Sequence, residues 1–285
     1  ADTDGKLYYN RRKQKGYCQK CGTVVTDESV GSLVRESQKY LETNSQEPEK
    51  SYLVDLSWVK DVKDVPDVAK YLLGRGIQEQ FWDQYCIKAI DDPAPLVVLP
   101  SSDPRKGRVS FVQFRDVRRD CMVKYRGISG TDKVLYGLSY LNGNEETGVI
   151  CEGVFSSIFS IRLNPTFGAL CTYGKSIKAE QLEQLSFLPL SMKELIVLYD
   201  GSFWFEAHRT AKKLLMSPIL LARGTKVSIG LLPREKDPVE VDDEVLDNVL
   251  EHRVTVDLNK LMYLQSMYNK LRTYEEFVEW NHRSA

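Results

Sequence analysis

Glu152 follows the apolar run GVIC, Asp200 follows ELIVLY, and Asp237 follows VSIGLLPREK, so each acid closes a candidate β-strand. In open parallel sheets, ligands and catalytic groups collect beyond the carboxyl ends of the strands, and acids at successive ends point into one crevice. Converging carboxylates repel one another. A hard divalent cation with oxygen ligands, Mg²⁺ or Mn²⁺, relieves that repulsion. Each acid also has a structural reading of its own: Glu152 as a cap for a helix beginning at Val154, Asp200 as the start of a turn with Gly201, Asp237-Pro238 as a strand end.

A second chemistry-bearing pair is Cys18 and Cys21, whose CxxC spacing lets two thiolates share one tetrahedral Zn²⁺. Two thiolates do not complete a site. No CxxC or His pair follows at ribbon spacing, and the expected first pair would precede Ala1, as if the ribbon had been cut after its first knuckle. Cys86, Cys121, Cys151 and Cys171 are isolated among apolar residues and read as inert buried thiols. His208, His252 and His282 have no ligand-spaced partner.

The third feature is charge. The whole chain carries a net charge of -1, from 39 Lys and Arg against 40 Asp and Glu, so any surface for a polyanion must be local. Residues 105–133 supply one, with Arg105, Lys106, Arg108, Arg115, Arg118, Arg119, Lys124, Arg126 and Lys133. Phe111, Phe114 and Tyr125 lie in the same run, either to fill a core or to stack on bases.

The elements that position these residues can be read from periodicity. Residues 1–35 hold two short Tyr- and Val-rich runs around a basic turn, the pattern of a small zinc-ribbon-like module, and 36–51 have linker composition. Residues 52–144 read as an α+β unit: a helix with apolar spacing from Val59 to Leu73 and a C-cap at Gly74-Arg75, a second from Gln78 to Tyr85, then strands at 95–99, 108–115 and 122–126. From 145 to 243, strands at 148–151, 169–172, 194–199 and 226–232 alternate with helices at 154–163, 178–187 and 204–215, which predicts a parallel α/β sheet. Residues 244–285 read as a helical tail through Leu246, Val249, Leu250, Leu258, Leu261, Met262, Leu264, Met267 and Leu271.

Composition narrows the class. With 42% hydrophobic and 28% charged residues the chain is neither collagenous nor disordered, and no apolar run approaches the about 20 residues of a membrane helix. Six cysteines without a secretory segment predict a reducing, cytoplasmic setting.

CEGVFSSI, CTYGKSIKAEQLEQL, LIVLYDGSFWFEAHRTAKKL and LLPREKDP, in that order, resemble the TOPRIM fold of DnaG-type primases, topoisomerases and some nucleases. Upstream, AKYLLGRGI with FWDQYCI resembles the start of the RNA-polymerase domain of bacterial and phage primases. RVSFVQFRDV and VKYRGISGTDKVLYGL are similar to that domain's basic segment, and the CxxCG ribbon to its zinc module. The resemblance spans residues 6–241.

It implies RNA primer synthesis on single-stranded DNA from nucleoside triphosphates, in a phage-like replication system in a bacterial or phage-infected cell. Glu152, Asp200 and Asp237 would be the metal ligands and catalytic acids, with Arg115, Lys124 and Lys133 on template and nucleotide phosphates. The tail from about 244 would dock on a replicative helicase or polymerase. Gly174 would let the backbone approach the crevice. The chain departs from the family where Ser156, Ser202 and Val239 replace acids, with Glu240 beside the last as a substitute. Those departures keep two alternatives open: a DNA-binding accessory protein of replication or transcription with weakened catalysis, and a TOPRIM nuclease.

Overall fold

The computed structural model describes the strands β1 (Leu7–Asn10), β2 (Lys15–Cys18) and β3 (Val24–Thr26), and then residues 56–257 apart from 93, 120 and 128–132. The linker at 36–51, Cys21 with its zinc-ligand role, and the tail beyond 257, including His282, lie outside the described residues. The chain divides into two compact units, Ala1–Tyr52 and Leu53–Ala285. In the first, β1 pairs antiparallel with β2 and β2 with β3, a three-stranded meander.

The second unit begins with β4 (Lys60–Asp61), a 3₁₀ turn at Val62–Asp64, and helices α1 (Pro66–Gly74) and α2 (Glu79–Gln84). The helix expected from Val59 starts later because Pro66 has no N–H to donate and a φ already suited to the first helical position. Val62 and Val65 are buried nonetheless, so the apolar spacing reported burial correctly and the element type wrongly. The helix ends where expected. The left-handed residue is Gly76, with φ +73, where an added Cβ would sit 2.7 Å from the Phe159 ring.

Strands β5 (Lys88–Ile90), β6 (Leu96–Asp103), β7 (Arg108–Asp116) and β8 (Tyr125–Gly127) join β4 in an antiparallel sheet ordered β4-β5-β6-β7-β8. β5 escaped the sequence reading because three residues carry too little pattern. β8 lies a few residues later than the Met122–Arg126 run suggested.

The remaining elements form an α/β layer: β9 (Thr147–Cys151), α3 (Val154–Ile161), β10 (Phe167–Cys171), α4 (Ala179–Gln184), β11 (Glu194–Val197), α5 (Trp204–Leu215), α6 (Pro218–Arg223) and β12 (Lys226–Ile229). The strands run parallel in the order β10-β9-β11-β12. Every residue of β9 is buried, the signature of a strand covered on both faces.

The expected all-helical tail is corrected at its start. Helix α7 (Asp243–Glu251) is followed by β13 (Val254–Thr255), which pairs antiparallel with β12 at the sheet edge. Leu246, Leu250, Val254 and Val256 are buried, so residues 243–256 complete the fold instead of leaving it. The N-cap is Asp242, whose carboxylate accepts the Val245 amide at 2.9 Å.

One apolar cluster joins the two sheets, containing Val97, Leu99 and Phe111 from the antiparallel side and Val149, Cys151, Ala169 and Ile196 from the parallel side. Tyrosines knit that seam. The Tyr136 hydroxyl donates to the Tyr85 carbonyl at 2.8 Å, and the Tyr85 hydroxyl accepts the Ala169 amide at 3.0 Å. Gly137 makes the crossing feasible: at φ +89 it lies so close to β10 that a Cβ would stand 1.8 Å from the Ala169 carbonyl oxygen.

Candidate active site

Glu152 is the residue directly after β9, Asp200 stands three past the end of β11, and Asp237 lies in the loop after β12. All are half-buried. The loops carrying Asp200 and Asp237 are locked together, because the Gly201 amide donates to the Lys236 carbonyl at 2.8 Å. Only glycine fits there. A Cβ on Gly201 would come within 2.0 Å of the Pro233 carbonyl oxygen.

The structural readings of the acids separate here. Glu152 caps nothing: the N-cap of α3 is Gly153, and the Glu152 Oε2 atom is buried without a hydrogen-bond partner. Such an orphaned carboxylate oxygen is costly unless something binds it. At Asp200 the turn is held by the main chain, its carbonyl accepting the Phe203 amide at 2.7 Å. Asp237 alone does local structural work, since its carboxylate accepts the Val239 amide at 2.7 Å.

Electrostatics tie the acids into one group. Burial and then the neighbouring Asp237 and Glu240 carboxylates push Asp200 up to about 6. Burial, with Asp200 and Glu206 nearby, raises Glu152, and burial with Glu240 raises Asp237. Positive charge opposes these shifts, from Lys175 on Glu152 and Asp200 and from Arg75 on Asp237. Among the described residues, though, no three His, Cys, Asp or Glu side chains stand close enough for a preformed metal shell. The donor set nevertheless suits Mg²⁺ or Mn²⁺, being hard oxygen with one atom left unbonded.

The replaced positions contribute no carboxylate. Ser156 sits in the first turn of α3, Ser202 is exposed, and Val239 packs against the apolar core. Glu240 instead reaches back, accepting the Asp237 amide at 3.3 Å.

The basic segment divides in two. Arg105 clamps the buried Asp103 and reaches Glu183 at 3.0 Å, while Arg118 pairs with the buried Asp116 at 2.7 Å and holds its carboxyl well below the usual range. The Lys133 ammonium donates to the Tyr173 carbonyl at 3.0 Å. Arg115 lies under aromatic rings, 4.5 Å from the Tyr125 centroid and 5.6 Å from that of Tyr71, and its Nε is buried without a partner. Arg75 stacks on the same Tyr71 at 5.6 Å. Lys124 is exposed on the strand edge, Tyr125 is 43% exposed, and Phe111 belongs to the core.

Sequence reasoning missed Arg75, Lys175 and Glu206 as members of this group. Lys175 carried a usable signal, because it follows the end of β10, where the strand-end rule applies as it does to the acids. Cys151 and Cys171 are buried as expected, whereas Cys86 and Cys121, expected to be buried with them, are half-buried; His208 is buried, which holds it down to about 4. A separate cavity of about 290 Å³ lies on the antiparallel sheet, lined by Trp58, Ile90, Leu96, Phe114 and Arg126 among others and by none of the crevice acids.

No protein-family model and no curated protein matches the sequence. Solved structures do match. The zinc-binding and RNA-polymerase domains of Aquifex aeolicus primase align at TM-score 0.51 and 17% identity, over 98% of this chain and 80% of that one. A DnaG primase catalytic domain bound to single-stranded DNA aligns at 0.52 and 16% identity, over 84% of each chain. The fold is that of the DnaG-type primases. The primase fragment of the bacteriophage T7 primase-helicase shares it, at 0.50 and 17% identity over 88% of this chain and 96% of that fragment. At such identities the likeness defines architecture, and chemistry has to be argued from this chain's own residues.

Proposed function

We propose that this protein synthesises RNA primers on single-stranded DNA, using the acidic crevice as its nucleotidyl-transfer centre in a replication system of phage type. The observation that carries this reading is the group of half-buried strand-end acids, with an unbonded Glu152 oxygen, on a primase fold. Glu152 and Asp200, with Asp237 beside them, would hold the divalent ion. When bound, that ion supplies positive charge to the reacting phosphate and to the leaving pyrophosphate. We read this layer as the TOPRIM domain.

The remaining work falls to the chain. Burial raises the affinity of Glu152 for a proton, which suits it to accept one from the attacking 3′ hydroxyl as the new O–P bond forms and pyrophosphate departs. Arg75 and Arg115, each 5.6 Å from the Tyr71 ring centroid, offer planar donors for phosphate oxygens. Lys124 would follow the template backbone. Lys133 acts through the loop it pins at Tyr173. A helicase or polymerase contact through the tail is assigned to residues beyond 257, since Leu246, Leu250, Val254 and Val256 are committed to the fold.

The absence of a preformed three-acid cluster among the described residues, together with the apolar placement of Val239, favours one rival: an accessory DNA-binding protein with weakened catalysis. A labelled-nucleotide assay on varied single-stranded templates with Mg²⁺ or Mn²⁺ separates the two. The primary reading expects short template-dependent RNA from the parent and none from Glu152→Gln. DNA binding without product under either metal supports the rival.

A further inference from the structure

The end of β9 is gripped by one short stretch of chain. The Thr172 amide donates to the Cys151 carbonyl at 3.1 Å, the Gly174 amide donates to the Glu152 carbonyl at 3.2 Å, and the Cys171 thiol donates to that same carbonyl at 3.2 Å. Tyr173, between Thr172 and Gly174, turns the other way. Its φ of 55 lies in the left-handed region, which glycine adopts freely and a bulky residue adopts only at a cost.

That turn carries the side chain to the antiparallel sheet, where its hydroxyl shares a hydrogen bond with the Ser101 hydroxyl at 2.5 Å. Ser101 lies on β6 at the point where the β6–β7 register shifts, an irregularity of the kind that re-aims a side chain. Two departures from regular backbone therefore meet in one bond, and both residues are buried. Phe111 on β7 makes a T-shaped contact with the Tyr173 ring, centroids 4.8 Å apart, and Lys133 donates to the Tyr173 carbonyl at 3.0 Å. Strain of this kind persists only where the surroundings enforce it, and it collects at functional sites. At the other end of the linkage stands Glu152. Its Oε2 is buried without a hydrogen-bond partner, so the place of that oxygen depends on the main chain that Cys171 and Gly174 hold.

We propose that Tyr173 is a positioning residue for Glu152. Its bond to Ser101 fixes the loop that holds the Glu152 main chain, and so sets the acid in register with the sheet that carries Arg115. The inference rests on Glu152 serving the nucleotidyl transfer proposed above. A small misplacement of a reacting group costs rate more than it costs substrate binding.

Tyr173→Phe keeps the ring and removes only the hydroxyl, and Ser101→Ala removes its partner. Each should lower kcat for primer synthesis roughly tenfold with KM for nucleoside triphosphates unchanged, and the double variant should be no worse than either single one. Tyr136→Phe is the control, because its hydroxyl bonds to the Tyr85 carbonyl in the same seam and not to the crevice loop. There stability should fall and kcat should not. Hydrogen exchange of the Gly174 amide reads the linkage without turnover, and should quicken about tenfold in Tyr173→Phe and Ser101→Ala but not in Tyr136→Phe. Unchanged kcat in both test variants, an equal loss in Tyr136→Phe, or unaltered Gly174 exchange would overturn the inference. Glu152→Gln keeps the two claims apart. A parent that makes no RNA, or a Glu152→Gln variant that makes as much as the parent, removes the reading of the crevice, whereas loss in Glu152→Gln with Tyr173→Phe at the parental rate removes only the role of Tyr173.

Discussion

The two sheets of the larger unit treat charge in opposite ways. On the antiparallel sheet, Arg105 and Arg118 close on Asp103 and Asp116, and Arg115 lies beneath aromatic rings. At the carboxyl end of the parallel sheet the acids outnumber their cations, Glu152 keeps an unbonded oxygen, and Asp200 holds its proton up to about 6. Paired charge on one sheet stabilises the fold. Under-paired charge on the other costs stability and is retained where a ligand completes it.

Several substitutions would break or sharpen that contrast. The largest effect is expected from Glu152→Gln, which should lower primer synthesis roughly a hundred- to a thousand-fold while single-stranded DNA binding, read by fluorescence anisotropy, stays within error. Gly201→Ala comes next. Its Cβ would collide with the Pro233 carbonyl oxygen and separate the Asp200 and Asp237 loops, costing about 3 kcal/mol in thermal or urea unfolding.

Asp200→Asn should act in the other direction. In the fold Asp200 ionises at about 6 against 3.8 for an ordinary aspartate, so the folded state binds the extra proton between those values. Its contribution to stability is therefore present at low pH and is lost as pH rises from about 4 to about 6. Replacing it by Asn should flatten that fall and stabilise the protein at pH 7 by on the order of 1 kcal/mol, allowing for its partial solvent screening. Urea denaturation at pH 4.5 and pH 7 would show this, and an identical pH slope in parent and variant would refute it.

The smallest effects distinguish a cation paired with a buried acid from Lys124 at the exposed surface. Lys124→Ala should weaken single-stranded DNA binding about threefold and reduce its salt slope by about 1, without loss of stability. Arg118→Ala should do the reverse, lowering the melting temperature because Asp116 is left buried without its partner. If Arg118→Ala changed the salt slope and Lys124→Ala did not, the assignment of the two groups would be inverted.

Much of the parallel layer was legible in the sequence because strand and helix alternate with strong apolar runs, and α5 follows its expected limits of 204–215. The antiparallel part was harder. β5 is too short to show a period, and Pro66 split an apolar pattern that continues through Val62 and Val65. The tail misled because the apolar residues of α7, Leu246 and Leu250, share a helical spacing with those beyond 257, although Val254 returns to β12. At the site, the acids were visible from their place after strands. Lys175 and Arg75 were not, since the Phe203 ring against Lys175 and the Tyr71 ring that Arg75 shares with Arg115 come together only through tertiary packing.

The central claim is that the ends of β9, β11 and β12 form one metal-binding centre. Replacing Mg²⁺ with Fe²⁺ and generating hydroxyl radicals in place would cut the backbone beside the bound ion, and mass spectrometry would map the cuts. The account predicts cleavage near Glu152, Asp200 and Asp237 together, suppressed by excess Mg²⁺ and absent from Glu152→Gln. Cleavage confined to other segments, or unaffected by that substitution, would contradict it.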